Sequence, residues 1–168
     1  VAKAALTAKE NPKRSLFDFI EVDPVRCDLA KAPSWKWHPG LSPLITVRQQ
    51  TRDVVSALSQ SYRTCENLLL LEDDFVLCPG ALEAIERLVH KATSLREGWA
   101  AVRVSYGMNG VVMKCADIPA FANYLLRNQN NMPVDLLAAE WYLQVIPETQ
   151  EYFRGRQYFA GKYNLLTH

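Results

Sequence analysis

Residues 68–77 read "LLLLEDDFVL": four leucines, then three consecutive acids, Glu72, Asp73 and Asp74, with apolar residues resuming at Phe75. Four leucines without alternation predict a strand covered on both faces, as in the interior of an α/β sheet. Three carboxylates at the end of such a strand need a physical reason. Adjacent carboxylates repel and raise one another's pKa unless a cation or hydrogen-bond donors compensate. In open α/β sheets, ligands gather at the carboxyl ends of the strands. The pattern therefore points to a hard divalent cation, Mg²⁺ or Mn²⁺, held by oxygen ligands. Diphosphate oxygens commonly complete the shell of such an ion, which points to a nucleotide-type substrate. A plainer reading, in which the acids cap the next turn or face solvent, stands level with this one.

Outward from the acids, "CPG" (78–80) predicts a turn and residues 81–98 an amphipathic helix with Gly98 as its C-cap. Leu82, Ile85, Leu88, Val89 and Leu95 mark its apolar face. Upstream, Val47, Thr51, Val54, Val55 and Leu58 recur at helical spacing. Downstream, "WAAVRVS" (99–105) and "GVVMKC" (110–115) predict strands joined through "YGMN". Asp117 and Pro119 suit the start of a helix, and Asp135 begins another, "LLAAEWYLQV". The tail predicts one more strand. Helices and strands alternate, so the expected class is α/β with a mainly parallel sheet flanked by helices. Residues 1–45 are expected to form an extended, loop-rich segment with one strand candidate at 16–22, and 46–168 the folded domain.

Composition narrows the function classes. The 168 residues carry 19 basic and 18 acidic side chains, net +1, so no electrostatic term favours nucleic acid or an anionic membrane. No apolar run approaches the ~20 residues of a membrane-spanning helix. The first residues lack the apolar stretch of a signal peptide, so the anchor expected of a luminal enzyme is either absent or lies outside the chain shown. Cys27, Cys65, Cys78 and Cys115 form no CxxC pair, which argues against zinc. Two disulfides and four free thiols are equally compatible with their spacing.

The stretch "LLLLEDDFVLCPGALEAIERL" resembles the metal-site segment of GT-A glycosyltransferases, and most of all the N-acetylglucosaminyltransferase IV family of N-glycan-branching enzymes. "QQTRD" upstream, "EGWAAVRVSYGMNGVVMKCADI", "MPVDLL" and "YNLLTH" downstream follow in the family's order, covering roughly residues 45–168. The resemblance implies a GT-A-like, Rossmann-like fold. It also implies a metal-dependent inverting transferase that moves a sugar, N-acetylglucosamine, from a UDP-sugar to a glycan or glycoprotein acceptor in the Golgi or secretory lumen. By position, Asp74 and His168 would bind Mn²⁺ or Mg²⁺, and Glu72 and Asp73 would contact the ribose or donor sugar. Gln50 and Asp53 match positions of the same donor site, and Gly107 and Gly110 would let backbone approach the sugar. Asp135 resembles the general base, with Glu140 as the fallback on the same helix. Each role has a plainer counterpart: a terminal residue for His168, an N-cap for Asp135, a solvated helix residue for Glu140 and a turn for the glycines. Trp35, Trp37 and Trp141 suit either sugar stacking or core, Arg48 and Arg52 either phosphate or surface, and His90 a helix surface.

The chain departs from the family at Gln49, where a basic residue is expected, and at Ala139, where an acid is expected. One convincing strand precedes the acids, so the resemblance implies a domain lacking the usual N-terminal nucleotide-binding half. That raises a second reading: a catalytically silent GT-A-like domain serving as a structural or interaction subunit of a larger assembly. A third, another Mg²⁺-dependent phosphate-handling enzyme, lacks the expected GxxxxGK[ST] loop.

Overall fold

A computed structural model describes residues 43–95 and 98–168. The strand candidate at 16–22, most of the loop-rich segment, Trp35, Trp37 and Cys27 lie outside the described residues. The element order is α1 (Ile45–Ser61), β1 (Asn67–Leu70), β2 (Val76–Leu77), α2 (Ala81–Leu95), β3 (Ala101–Arg103) and β4 (Val111–Lys114). A 3-10 turn (Cys115–Asp117) follows, then α3 (Ile118–Asn128), α4 (Val134–Tyr142), α5 (Pro147–Tyr152), β5 (Tyr158–Ala160) and β6 (Leu166–Thr167).

The main sheet has the order β1-β4-β3-β5. It is mixed, which corrects the expected mainly parallel sheet: β4 runs antiparallel to both β1 and β3, and only β3 and β5 pair in parallel. The reason is connection length. Only residues 104–110 separate β3 from β4, and a parallel partner needs a crossover of a dozen or more residues. Between β3 and β5 the chain does make such a crossover, through β4 and three helices. Consequently β1, β3 and β5 all point the same way, and their carboxyl ends share one rim of the sheet. A second, two-stranded sheet pairs β2 with β6 antiparallel, Val76 opposite Thr167 and Leu77 opposite Leu166.

The leucine run is corrected too. β1 is an edge strand with β4 as its one neighbour among the described residues, and Leu68, Leu69 and Leu70 are half-buried. Leu71 lies past its end and is 41% exposed. An unalternating apolar run reads alike in a central strand and in an edge strand whose two faces meet different helices.

Strand alternation divides the core. Ala101, Val111 and Met113 face α1, α3 and α4, whereas Val102, Val104 and Val112 face Ile85 and Ala92 of α2. Helix α1 buries Val47, Thr51, Val55 and Leu58, the stripe its spacing predicts. Helix α2 packs through Ile85 and Ala92 with Leu88 and Val89 beside them, but Leu82 (59%) and Leu95 (61%) remain exposed, contrary to the predicted face. On the other side Trp141, 2% exposed, has its ring 4.9 Å from Tyr124, 5.0 Å from Tyr152 and 5.3 Å from Phe153. It is core rather than a sugar platform, and burial of a large side chain of this kind stabilises by about 3 kcal/mol.

Two tertiary links close the domain. Cys65 and Cys115 form a disulfide with Cα atoms 5.9 Å apart, tying the entry to β1 to the exit from β4. Asp117, 5% exposed, pairs with Arg156 and accepts a hydrogen bond from the Tyr152 hydroxyl (2.9 Å). The position expected to cap α3 thus spends its carboxylate on α5 and the following loop, and makes no side-chain cap.

Candidate functional site

The acids occupy the rim where β1 ends. A tight turn follows the strand, with the Phe75 N–H donating to the Glu72 carbonyl (3.4 Å). The turn redirects the chain into β2, so Glu72, Asp73 and Asp74 project from a reversal rather than from a strand. Gln50, Val54, Leu70, Leu71, Met108 and the three acids enclose a hollow of ≈ 290 Å³. A second hollow of ≈ 280 Å³ is bordered by Asp135, Pro133, Val134 and Leu136, and shares Gln50, Glu72 and Met108 with the first. Together they form one groove with Glu72 at its centre.

Asp135 reaches this groove from the first turn of α4. Pro133 is the N-cap, so the predicted capping role of Asp135 is not the one it has; Asp135 sits two residues further in and is exposed. Burial is the largest cause raising the Glu72 pKa, followed by the charges of Asp74, Asp135 and Asp73, with His168 opposing them. Four carboxylates therefore share one electrostatic environment, although Asp135 is 61 positions from Asp74 in sequence. A cation is what such an arrangement favours.

His168 arrives through the small sheet. Since Val76 opposes Thr167, the next position places His168 opposite Phe75. The two rings meet edge-on at 5.2 Å, and His168 Nε2 lies 3.2 Å from Asp74 Oδ2. Residues separated by 94 positions thereby form a carboxylate–imidazole pair. Both side chains are largely exposed, so the pair adds little to stability and remains accessible to a ligand. Among the described residues, no three His, Cys, Asp or Glu side chains group closely enough to hold a metal unaided. The pair's donor set, one carboxylate oxygen and one imidazole nitrogen, suits Mn²⁺ more readily than Mg²⁺.

Other predicted positions lie elsewhere. Asp53 is exposed on α1 and accepts a hydrogen bond from Gln49 Nε2 (2.9 Å); it borders neither hollow. Glu140 accepts a hydrogen bond from the Tyr124 hydroxyl, whose pKa is raised chiefly by burial and then by this bond, and Glu140 borders neither hollow. Gly110 fills a structural need: its φ is +72°, and a Cβ there would lie 2.8 Å from Leu166 and 2.9 Å from Ser105. Gly107, at φ +56°, serves the turn between β3 and β4. Neither glycine borders the acid groove. Arg48 and Arg52 bind Asn130 (3.1 Å) and Gln129 (2.9 Å), tying α1 to the loop before α4 rather than facing the acids. His90 is on the surface, 3.9 Å from Glu86.

Two contributors carried no motif. Met108 borders both hollows, and Asn109, 1% exposed, accepts the Glu72 backbone N–H at its Oδ1 (3.3 Å). A polar residue set between two apolar strands at "YGMNG" was their only signal. Compared with family models, curated proteins and solved structures, the chain matches none.

Proposed function

We propose that the chain is a metal-dependent inverting glycosyltransferase of GT-A type, transferring N-acetylglucosamine from a UDP-sugar to a glycan or glycoprotein acceptor. One observation carries the reading: Glu72 to Asp74 and Asp135 border adjoining hollows from two separate elements, and His168, from a third, pairs with Asp74 at their edge. In this reading Asp74 and His168 would hold Mn²⁺, which when bound would offset charge on the departing diphosphate. Gln50 and Glu72, which border both hollows, would contact the donor sugar. The Asp135 carboxylate accepts the proton of the acceptor hydroxyl as that oxygen attacks the anomeric carbon. The new C–O bond forms opposite the bond to UDP, which leaves with its electron pair, so the configuration inverts. Asp135 suits the role because it is exposed, and no described side chain hydrogen-bonds it. Glu140 suits it less, being occupied by Tyr124.

The test is calorimetric titration with UDP in Mn²⁺ buffer. The wild type should bind only with metal present, and Asp74→Ala should weaken binding about tenfold or more, equivalent to about 1.4 kcal/mol. No metal-dependent nucleotide binding by the wild type refutes the reading and favours the catalytically silent alternative. That alternative draws its support from the departures from the family at Gln49 and Ala139.

A further inference from the structure

The rim that carries the acids has a second hollow of opposite character. Loops following β3 and β5 enclose ≈ 150 Å³ between Arg103, Ser105 and Tyr106 on one side and Lys162, Tyr163 and Asn164 on the other. No acid borders it, in contrast to the groove a few residues away at Met108. Among the described residues, neither Arg103 nor Lys162 pairs with a carboxylate. Their recorded neighbours are aromatic faces: Arg103 lies 6.0 Å from the centroid of Tyr158 and Lys162 5.3 Å from that of Tyr163. Such contacts orient a cation without neutralising it.

Two further features point to a ligand. Ser105 is 8% exposed, and its Oγ has no hydrogen-bond partner among the described residues. A buried hydroxyl without a partner is destabilising, a cost that a ligand hydroxyl or oxyanion would relieve. Tyr106 and Tyr163, by contrast, are each 70% exposed, so their rings are offered to solvent at the mouth of the hollow. Large aromatic faces left in water beside hydroxyl, amide and ammonium donors suit a ring with polar edges and a C–H face. The space accommodates one small ring, not a polymer.

We propose that this hollow is a binding site for an anionic sugar, a monosaccharide unit bearing a carboxylate or phosphate. The anion lies toward Lys162 and Arg103, a ring hydroxyl pairs with Ser105 Oγ, and the sugar's C–H face rests against Tyr163 or Tyr106. The site uses none of the acids of the groove, so it stands or falls independently of the transferase reading.

The test is an NMR titration of the full chain in EDTA, which removes any contribution from a bound metal, following backbone amides. The probes are glucuronate, glucose 6-phosphate, glucose and inorganic phosphate. Both anionic sugars should give saturable shifts at residues 103–106 and 161–164, binding at least about tenfold more tightly than glucose or phosphate. Lys162→Ala should weaken them about tenfold, the value of one hydrogen bond to a charged group. Tyr163→Ala, also an exposed position, should weaken them about fivefold through lost ring contact. The carboxylate and phosphate arms show which anion is preferred. Absence of saturable shifts with either anionic sugar, phosphate binding as tightly as glucose 6-phosphate, or unchanged affinity in both variants overturns the proposal.

Discussion

Replacing both cysteines of the Cys65–Cys115 bridge with serine tests the domain's main covalent constraint. The bridge spans 50 residues of chain. In the chain-entropy account, closing a loop of that length removes about 14 cal/mol/K from the unfolded ensemble, or about 4 kcal/mol at 25 °C. For a protein of this size each kcal/mol moves Tm by roughly 2–4 °C, so the double variant should melt roughly 8–16 °C lower. Differential scanning calorimetry measures the shift, and the wild type in reductant should fall to the same Tm. The double variant is the right perturbation because a single replacement leaves Cys115, 2% exposed, as a lone buried thiol beside a new hydroxyl. Peptide mapping under non-reducing conditions identifies the cross-link independently. If the mapped cross-link is present and the Tm moves by less than about 2 °C, the loop-closure reasoning is wrong. If no 65–115 peptide is found, the pairing itself is wrong.

Gly110→Ala should destabilise by about 2–4 kcal/mol, because a Cβ meets Leu166, Ser105 and Val104 at 3.0 Å or closer on a left-handed backbone. Gly107→Ala, with nothing within 4 Å, should cost only about 1–2 kcal/mol in urea unfolding; equal losses would contradict this distinction. Arg156→Met should cost about 3 kcal/mol, since it strands the buried Asp117 carboxylate, while Asp117→Ala combined with Arg156→Met should recover part of that loss. Strictly additive effects in the double-mutant cycle would show that the pair is not coupled. If the chain transfers sugar, Asp135→Asn should lower kcat by roughly 10²–10⁴-fold with UDP binding unchanged, and Glu140→Gln should leave kcat within a few-fold. The opposite ranking in a transfer assay would reassign the base.

The sequence by itself determined the local elements. The 3.6-residue spacing from Val47 to Leu58 gave α1, the acids marked a strand end, and the short "SYGMNG" connection carried the information for a reversal. Those signals depend on neighbours a few positions apart, where periodicity and turn chemistry act. Tertiary structure decided everything that joined distant residues. "LLLL" reads the same at the centre or the edge of a sheet, and pairing with β4 placed it at the edge. Asp53 and Gln50 share a helix, yet only Gln50 borders the groove, because the rotation of α1 against α3 and α4 selects the face. His168 met Asp74 through the register of a two-residue strand that no periodicity could reveal. The carboxylates of Glu72 and Asp135 interact because β1 ends and α4 begins on the same rim, a placement that joins residues far apart in sequence.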